Sequence, residues 1–224
     1  MKVIISGYGK MGHMVEADLK RRGIECVMAS EDITAVDPAI ARECVCIDFT
    51  IPAAIRANYK FLAENFKAVV IGTTGWNDIK DEVISYFEKC GTTMIYASNF
   101  SVGVNIFFAV VEQAAKLIGE AGGYMPYVEE KHHCHKLDRP SGTAKTIIEA
   151  VKAGMGQDPD VASVRCGEIP GIHTAGFEGL NDRITLTHEA FSREGFASGA
   201  VEAAIRTEKL QGVYDFKDII FNNQ

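Results

Sequence analysis

Residues 132–146 read HHCHKLDRPSGTAKT, with three histidines, a cysteine, a lysine and an aspartate inside seven residues, followed by a break at Pro-Ser-Gly-Thr. Three chemistries are open to such a stretch: a metal site, an anion seat beside a proton donor, or a solvated polar loop. A zinc site needs three or four ligands converging as a tetrahedron. Neighbours in an extended segment point in opposite directions, so His132, His133, Cys134 and His135 cannot all converge, and no metal is expected. The concentration of histidines and the specific break speak against a bland loop. The reading that uses most of the residues starts from Ser141. Ser-Gly-Thr precedes the helical run AKTIIEAV, and the N–H groups of a helix start make a seat for a carboxylate, with Gly142 in the turn and Thr143 adding a hydroxyl. Lys136 supplies a full positive charge nearby, and a histidine can donate a proton near neutral pH.

A second chemical stretch lies at the beginning, VIISGYGKMG, where Gly7, Gly9 and Gly12 follow an apolar run and open a helical pattern. That is the context of a dinucleotide-binding turn. The first glycine allows the tight turn, the second lets backbone approach a pyrophosphate, and the third lets helix and strand pack closely. About 20 residues on, an acidic residue is expected to meet the adenosine ribose. Glu31 or its neighbour Asp32 stands there, and two carboxylates with no adjacent arginine should repel the extra phosphate of NADP, so NADH is the expected cofactor rather than NADPH. IDFT at 47–50 and IGTTGW at 71–76 end two further strands and point to the same crevice, with Gly72, Thr73 and Thr74 offering backbone groups and hydroxyls.

The elements that must position these residues are legible as alternation. Short apolar runs at 3–6, 26–30, 44–49, 68–72 and 93–97 are separated by amphipathic stretches, one opening at Pro52, a residue favoured in a first helical turn. The pattern predicts an α/β fold with a doubly wound, Rossmann-like parallel sheet. After residue 100 the rhythm becomes that of a separate α+β unit. A long helix is expected over 101–117, a strand over 124–129, a helix after Ser141, and strands over 161–165 and 183–188. A Gly-rich section lies between the last two, and a closing helix rich in small residues is expected over 196–209.

Composition narrows the class. The 224 residues are 47% hydrophobic, enough for a sizeable core, and the formal charge of −7 argues against a broad nucleic-acid surface. No apolar run approaches the ~20 residues that span a bilayer, and glycine arrives too early in MKVIISGYGK for a signal peptide, so the expected compartment is the cytoplasm. Six cysteines with no CxxC pair suggest neither disulfides nor a zinc knuckle, and most are expected to be buried.

The stretch EEKHHCHKLDRPSGTA resembles the signature of the dihydrodipicolinate reductase family, E-x-x-H-H-x-x-K-x-D-x-P-S-G-T-A. The likeness continues through GYGKMG, DFT, GTTG, ASNFSVGVN, GIHT and HEAFSREGFASGAVEAA. Arg139 stands where the family usually has a small residue, and Ser98 where many members have proline. The resemblance implies reduction of a cyclic dicarboxylate of lysine biosynthesis by NADH or NADPH, giving tetrahydrodipicolinate. It implies that His132 is the proton donor and Lys136 its partner and carboxylate contact, with His133, Ser141, Gly142 and Thr143 gripping the substrate. Gly7, Gly9, Lys10, Met11, Gly12, Glu31, Phe49, Gly72, Thr73, Thr74, Ala97, Asn99 and Phe100 would hold the cofactor. It further implies a dinucleotide domain made of residues 1–100 and 195–224, a substrate and oligomerisation domain over 101–194, and a homotetramer.

Overall fold

The structure, a computed structural model, describes residues 1–221. The chain divides into two compact units, Met1–Ser101 together with the segment from Glu194 onward, and Val102–Arg193.

The first unit alternates strands and helices: β1 (Lys2–Ser6), α1 (Lys10–Arg21), β2 (Glu25–Ser30), α2 (Pro38–Ala41), β3 (Cys44–Asp48), α3 (Pro52–Asn65), β4 (Ala68–Ile71), α4 (Lys80–Cys90) and β5 (Thr93–Tyr96). The six-stranded sheet is parallel throughout and runs β2-β1-β3-β4-β5, with a sixth strand, β10 (Val213–Asp215), beside β5. The strand order reverses between β1 and β3, the place where open α/β sheets bind ligands.

Successive strand residues feed opposite faces, as a period of two requires. Val3, Ile5, Val45 and Ile47 join one core with Val15 and Leu19 of α1 and the alanines of α7 (Glu194–Arg206). Ile4, Cys44 and Cys46 join the other, under Ile55 and Leu62 of α3 and Val83 and Phe87 of α4. Each buried Val, Ile, Leu or Phe among them contributes about 1.5–3 kcal/mol. Small residues let α7 press close: a Cβ on Gly199 would lie 1.7 Å from the Phe100 carbonyl oxygen.

The second unit contains α5 (Val102–Ala121), β6 (Met125–His132), α6 (Gly142–Met155), β7 (Asp160–Arg165), β8 (Ile172–Glu178) and β9 (Arg183–Glu189). Its sheet runs β7-β6-β8-β9, with β6 and β7 parallel and the other pairs antiparallel. Both helices cover one face through a single core of Phe107, Val111, Ile147 and Val151 on Val128, Ala175 and Phe177. Backbone meets backbone where they cross, because a Cβ on Gly119 would lie 2.4 Å from the Gly154 carbonyl oxygen.

Several expectations need correction. The Gly-rich section contains β8, the central partner of both β6 and β9; its glycines masked a strand whose middle residues, 173–177, are all buried. After α7 the chain adds β10 and a short helix α8 (Phe216–Ile219), both unanticipated, and Phe216 is fully buried in the first unit. α5 is longer than expected, and by length and composition it could cross a membrane, with mean hydropathy 1.4. Its Val104, Phe107, Val111, Ala115 and Ile118 are buried, and four of these join the core over the sheet. Only Cys44 and Cys46 are buried among the cysteines; Cys26 is half-buried, and Cys90, Cys134 and Cys166 are exposed.

Candidate active site

At the end of β1 the chain turns through Gly7, whose φ of +85° lies in the left-handed region that glycine adopts at no steric cost. A Cβ there would also strike the Phe49 carbonyl oxygen at 2.4 Å, so the turns after β1 and β3 touch at the switch point. Gly12 packs equally tightly, with the Gly7 carbonyl oxygen 2.3 Å from where its Cβ would stand. Gly9 is different: nothing lies within 4 Å of its Cβ position. No protein neighbour demands glycine there. Gly9 is the N-cap of α1, no side chain caps it, and the first turn carries no acid. The helix therefore presents its positive end uncompensated, which suits a pyrophosphate. Lys10 is exposed, and Met11 packs against the core beneath.

Glu31 follows β2 and is exposed. Asp32, its alternative, is committed elsewhere: its carboxylate accepts hydrogen bonds from the Thr34 amide (3.0 Å) and hydroxyl (2.6 Å). Thr73 does not offer its hydroxyl to a ligand as expected. It donates to Asp48 (2.5 Å) and accepts from the Thr50 amide (2.6 Å). Asp48 is buried, and that burial pushes its carboxyl up despite hydroxyl partners from Ser6, Thr50 and Thr73. The network ties the ends of β1, β3 and β4 together. Gly72 is required by the Phe49 ring, which a Cβ would meet at 2.2 Å. A cavity of about 180 Å³ gathers Thr73, Thr74, Trp76, Lys80, Tyr96 and Ala97. Asn99 is half-buried, and its carboxamide oxygen accepts from the Ser101 amide (2.9 Å). Phe100 is 2% exposed and stacks against Phe216 at 5.0 Å, so its ring belongs to the core and only its backbone can face a ligand.

In the second unit, β6 buries alternate residues, which places Glu130 and His132 on one face. Glu130 is fully buried, and its carboxylate contacts His132 Nδ1. Arg165 of β7 donates to both Glu130 oxygens, Nη1 at 3.0 Å and Nη2 at 2.8 Å. The Arg165 side chain is 2% exposed. A buried carboxylate needs such a partner. The hydrogen bonds from Arg165, and others from Ser163 and His132, outweigh burial and hold Glu130 below the usual carboxylate range.

His173 of β8 stands edge-on to His132, ring centres 4.9 Å apart, and its Nε2 lies 3.1 Å from Ser141 Oγ. Burial lowers both imidazoles, His173 to about 4, while the Glu130 carboxylate pulls His132 partly back. With Nδ1 held by Glu130, the ring nitrogen of His132 left available is Nε2. Gly171 keeps that nitrogen open, since a Cβ there would stand 3.1 Å away.

Ser141 caps α6 as expected, its Oγ accepting from the Ala144 amide at 3.1 Å. A Cβ on Gly142 would meet nothing, and Thr143 is half-buried in the same turn. Lys136 pairs with Asp138 (2.7 Å), and the Lys136 carbonyl accepts from Arg165 Nε (3.2 Å), so the turn and the buried ion pair are mechanically joined. His133 reaches Arg193, 3.2 Å from its Nε2, while its Nδ1 is buried without a partner among the described residues.

Glu130, Arg165, His173, Asp138 and Arg193 went unassigned in the sequence. Asp138 and Glu130 lay inside the motif itself, and a period-two reading of 128–132 would have paired Glu130 with His132. Arg165 carries no local signal, and His173, although it lies in the GIHT stretch of the likeness, was given no role there because only cross-strand pairing brings it to the cluster. Glu130, His132 and His173 are close enough for a cation. Arg165 on both carboxylate oxygens disfavours one there.

Similarity follows the same division. The family profile "Dihydrodipicolinate reductase, N-terminus" matches residues 1–100, and "Dihydrodipicolinate reductase, C-terminus" matches 103–220. The 4-hydroxy-tetrahydrodipicolinate reductase of Christiangramia forsetii is 35% identical, covering 98% of each chain. That of Neisseria meningitidis serogroup B is 36% identical over 88% of this chain and 79% of its own. A dipicolinate-bound dihydrodipicolinate reductase from Paenisporosarcina sp. TG-14 shares the fold at TM-score 0.79 and 21% identity, covering 98% of this chain and 99% of its own. Glycine turn, histidine strand and capped helix thus lie in a chain matched along nearly its whole length, which belongs to the dihydrodipicolinate reductase family.

Proposed function

We propose that the chain reduces 4-hydroxy-tetrahydrodipicolinate, or its dehydrated form, to tetrahydrodipicolinate at the expense of NADH or NADPH in the diaminopimelate and lysine pathway. The observation that carries this reading is the buried Glu130–His132 pair beside Lys136 and the Ser141-capped helix start. These groups supply a proton donor and positive charge for a small diacid.

The unit built from Met1–Ser101 is the dinucleotide-binding part, with Gly7, Gly9, Lys10, Met11 and Gly12 around the pyrophosphate and Glu31 at the ribose. Phe49, Gly72, Thr73, Thr74, Ala97, Asn99 and Phe100 frame the nicotinamide side, Thr73 and Phe100 through backbone. The reduced nicotinamide supplies the hydride. Lys136 holds a substrate carboxylate, Gly142 and Thr143 seat the other, and His133 with Ser141 fixes the orientation. His132 delivers a proton from Nε2 while Glu130 holds Nδ1 and keeps the ring in place. Glu31 without a cationic neighbour in its turn favours NADH. The sheet face left bare by α5 and α6 within the second unit, with Tyr127, Glu129, Thr185 and Thr187, is where copies would assemble into a homotetramer. Exposed free thiols at Cys90, Cys134 and Cys166 fit a reducing cytoplasm.

The test is NADH oxidation with substrate made in situ by the preceding condensing enzyme. Replacing Lys136→Ala should lower kcat/KM by about 10²–10⁴-fold and leave NADH affinity within about threefold. A variant retaining a tenth of the wild-type rate would remove the reading.

A further inference from the structure

Next to the histidine cluster, but on the solvent side, a second group of ligand-type side chains meets. Cys134 Sγ lies 3.5 Å from His135 Nε2, and His135 Nε2 lies 3.1 Å from Glu168 Oε1. All three ligand atoms fall within 4.8 Å of one another. With bonds of about 2.0 Å to nitrogen and oxygen and 2.3 Å to sulfur, the edges of a zinc tetrahedron are about 3.3–3.7 Å. The two edges that meet at His135 Nε2, 3.5 and 3.1 Å, are therefore already close to those of such a polyhedron, and the third lies within 4.8 Å.

The backbone holds the two contributing segments in place. The Cys134 amide donates to the Gly167 carbonyl (3.0 Å), and the Cys166 amide donates to the His132 carbonyl (2.9 Å). These bonds continue the β6–β7 pairing past its end and set Cys134 and His135 opposite the 166–168 turn. Gly167, with φ +52°, makes the bend that brings Glu168 round. The fold does not account for the cluster: the His135 and Glu168 side chains are 71% and 81% exposed, and a solvated ion pair stabilises by at most about 1 kcal/mol.

We propose that Cys134, His135 and Glu168 form a surface site for a borderline-soft divalent cation, Zn²⁺ foremost, with water in the fourth position. A thiolate and an imidazole select against calcium and magnesium, which take oxygen ligands. On binding, the Cys134 thiol releases its proton and the sulfur coordinates as thiolate. The site is separate from Glu130, His132 and His173, which are buried and held by Arg165. It does not depend on the proposed reaction, although the His133–Lys136 turn that carries two of its ligands also carries the proposed substrate lysine.

The experiment is a Co²⁺ titration of the reduced full-length protein followed by absorption. A saturable sulfur-to-cobalt charge-transfer band should appear, with the intense visible bands of four-coordination, and Zn²⁺ should displace both. Cys134→Ser should abolish the charge-transfer band, Glu168→Gln should weaken binding at least about tenfold, and Cys166→Ser should leave the spectrum unchanged. All three side chains replaced are exposed, so folding is not at stake. Absence of a saturable band in the wild type, or a band that survives Cys134→Ser, overturns the proposal. Turnover by the metal-free protein would be untouched by either result, which separates this test from that of the reaction.

Discussion

The end of β1 and the end of β6 carry the two sites proposed to receive negative charge, and they are built of opposite materials. After β1 the chain removes side chains: Gly7 and Gly12 pack backbone on backbone, and Gly9 leaves open space before a helix whose N-terminus no side chain caps. After β6 it fills the interior with side chains, a carboxylate, a guanidinium and two imidazoles in one buried network. A site made of backbone should fail sterically and be indifferent to pH. A site made of buried ionisable groups should fail electrostatically and respond to pH.

The largest effect that separates the two should come from Arg165→Leu. It strands the fully buried Glu130 carboxylate and should cost about 3–5 kcal/mol, read as a lowered urea midpoint. Adding Glu130→Gln should restore part of that loss, and a double variant no better than the single would contradict a charge-based failure.

Next comes acid. His173 has a pKa of about 4 in the folded protein, against 6.5 ordinarily. The unfolded chain therefore binds more protons between those values, and stability rises with pH. The contribution is complete above about pH 6.5 and is lost on acidification toward pH 4, to the extent of up to about 3 kcal/mol. Chemical denaturation at a series of pH values should show the decline, flattened in His173→Asn. An unaltered slope in that variant would put the acid sensitivity elsewhere.

Gly12→Ala should be milder, costing about 1–3 kcal/mol by overpacking against the Gly7 carbonyl. It should raise the NADH dissociation constant about tenfold, equally at pH 6 and 8. A pH-dependent penalty would blur the contrast drawn here. Smallest of all, Glu31→Gln should shift the ratio of NADH to NADPH affinity by about threefold toward NADPH, the size of one exposed charge interaction. A wild-type preference of tenfold for NADPH would reverse the assigned role of Glu31.

The same contrast decides what could be read from the chain. Glycines that shape backbone act within six residues of one another, so Gly7, Gly9 and Gly12 announce themselves, as does Ser141 capping the helix it precedes. The apolar alternation of 3–6, 44–49 and 68–72 is equally local. Glu130 has one partner close in sequence, His132, yet Arg165 is 35 residues away and His173 reaches the cluster only through β6–β8 pairing. That strand was hidden because His-Thr-Ala-Gly among flanking glycines carries little β signal, while the registry that buries it is set by its neighbours. Thr73 was misjudged for a related reason: a hydroxyl in a ligand-facing loop gives no sign that a buried Asp48 25 residues upstream has claimed it.

The chain leaves the six-stranded sheet at Val102 and returns at Glu194, and the returning segment supplies Ala197, Ala200, Val201, Ala204, Phe216 and Ile219 to the core under one sheet face. During synthesis the inserted unit is therefore complete while its host still lacks a wall. The usual N-to-C order of domain maturation should be inverted here, and a nascent chain carrying residues 1–193 followed by a linker long enough to clear the ribosome exit tunnel should resist protease in its later half while its first hundred residues remain cleavable.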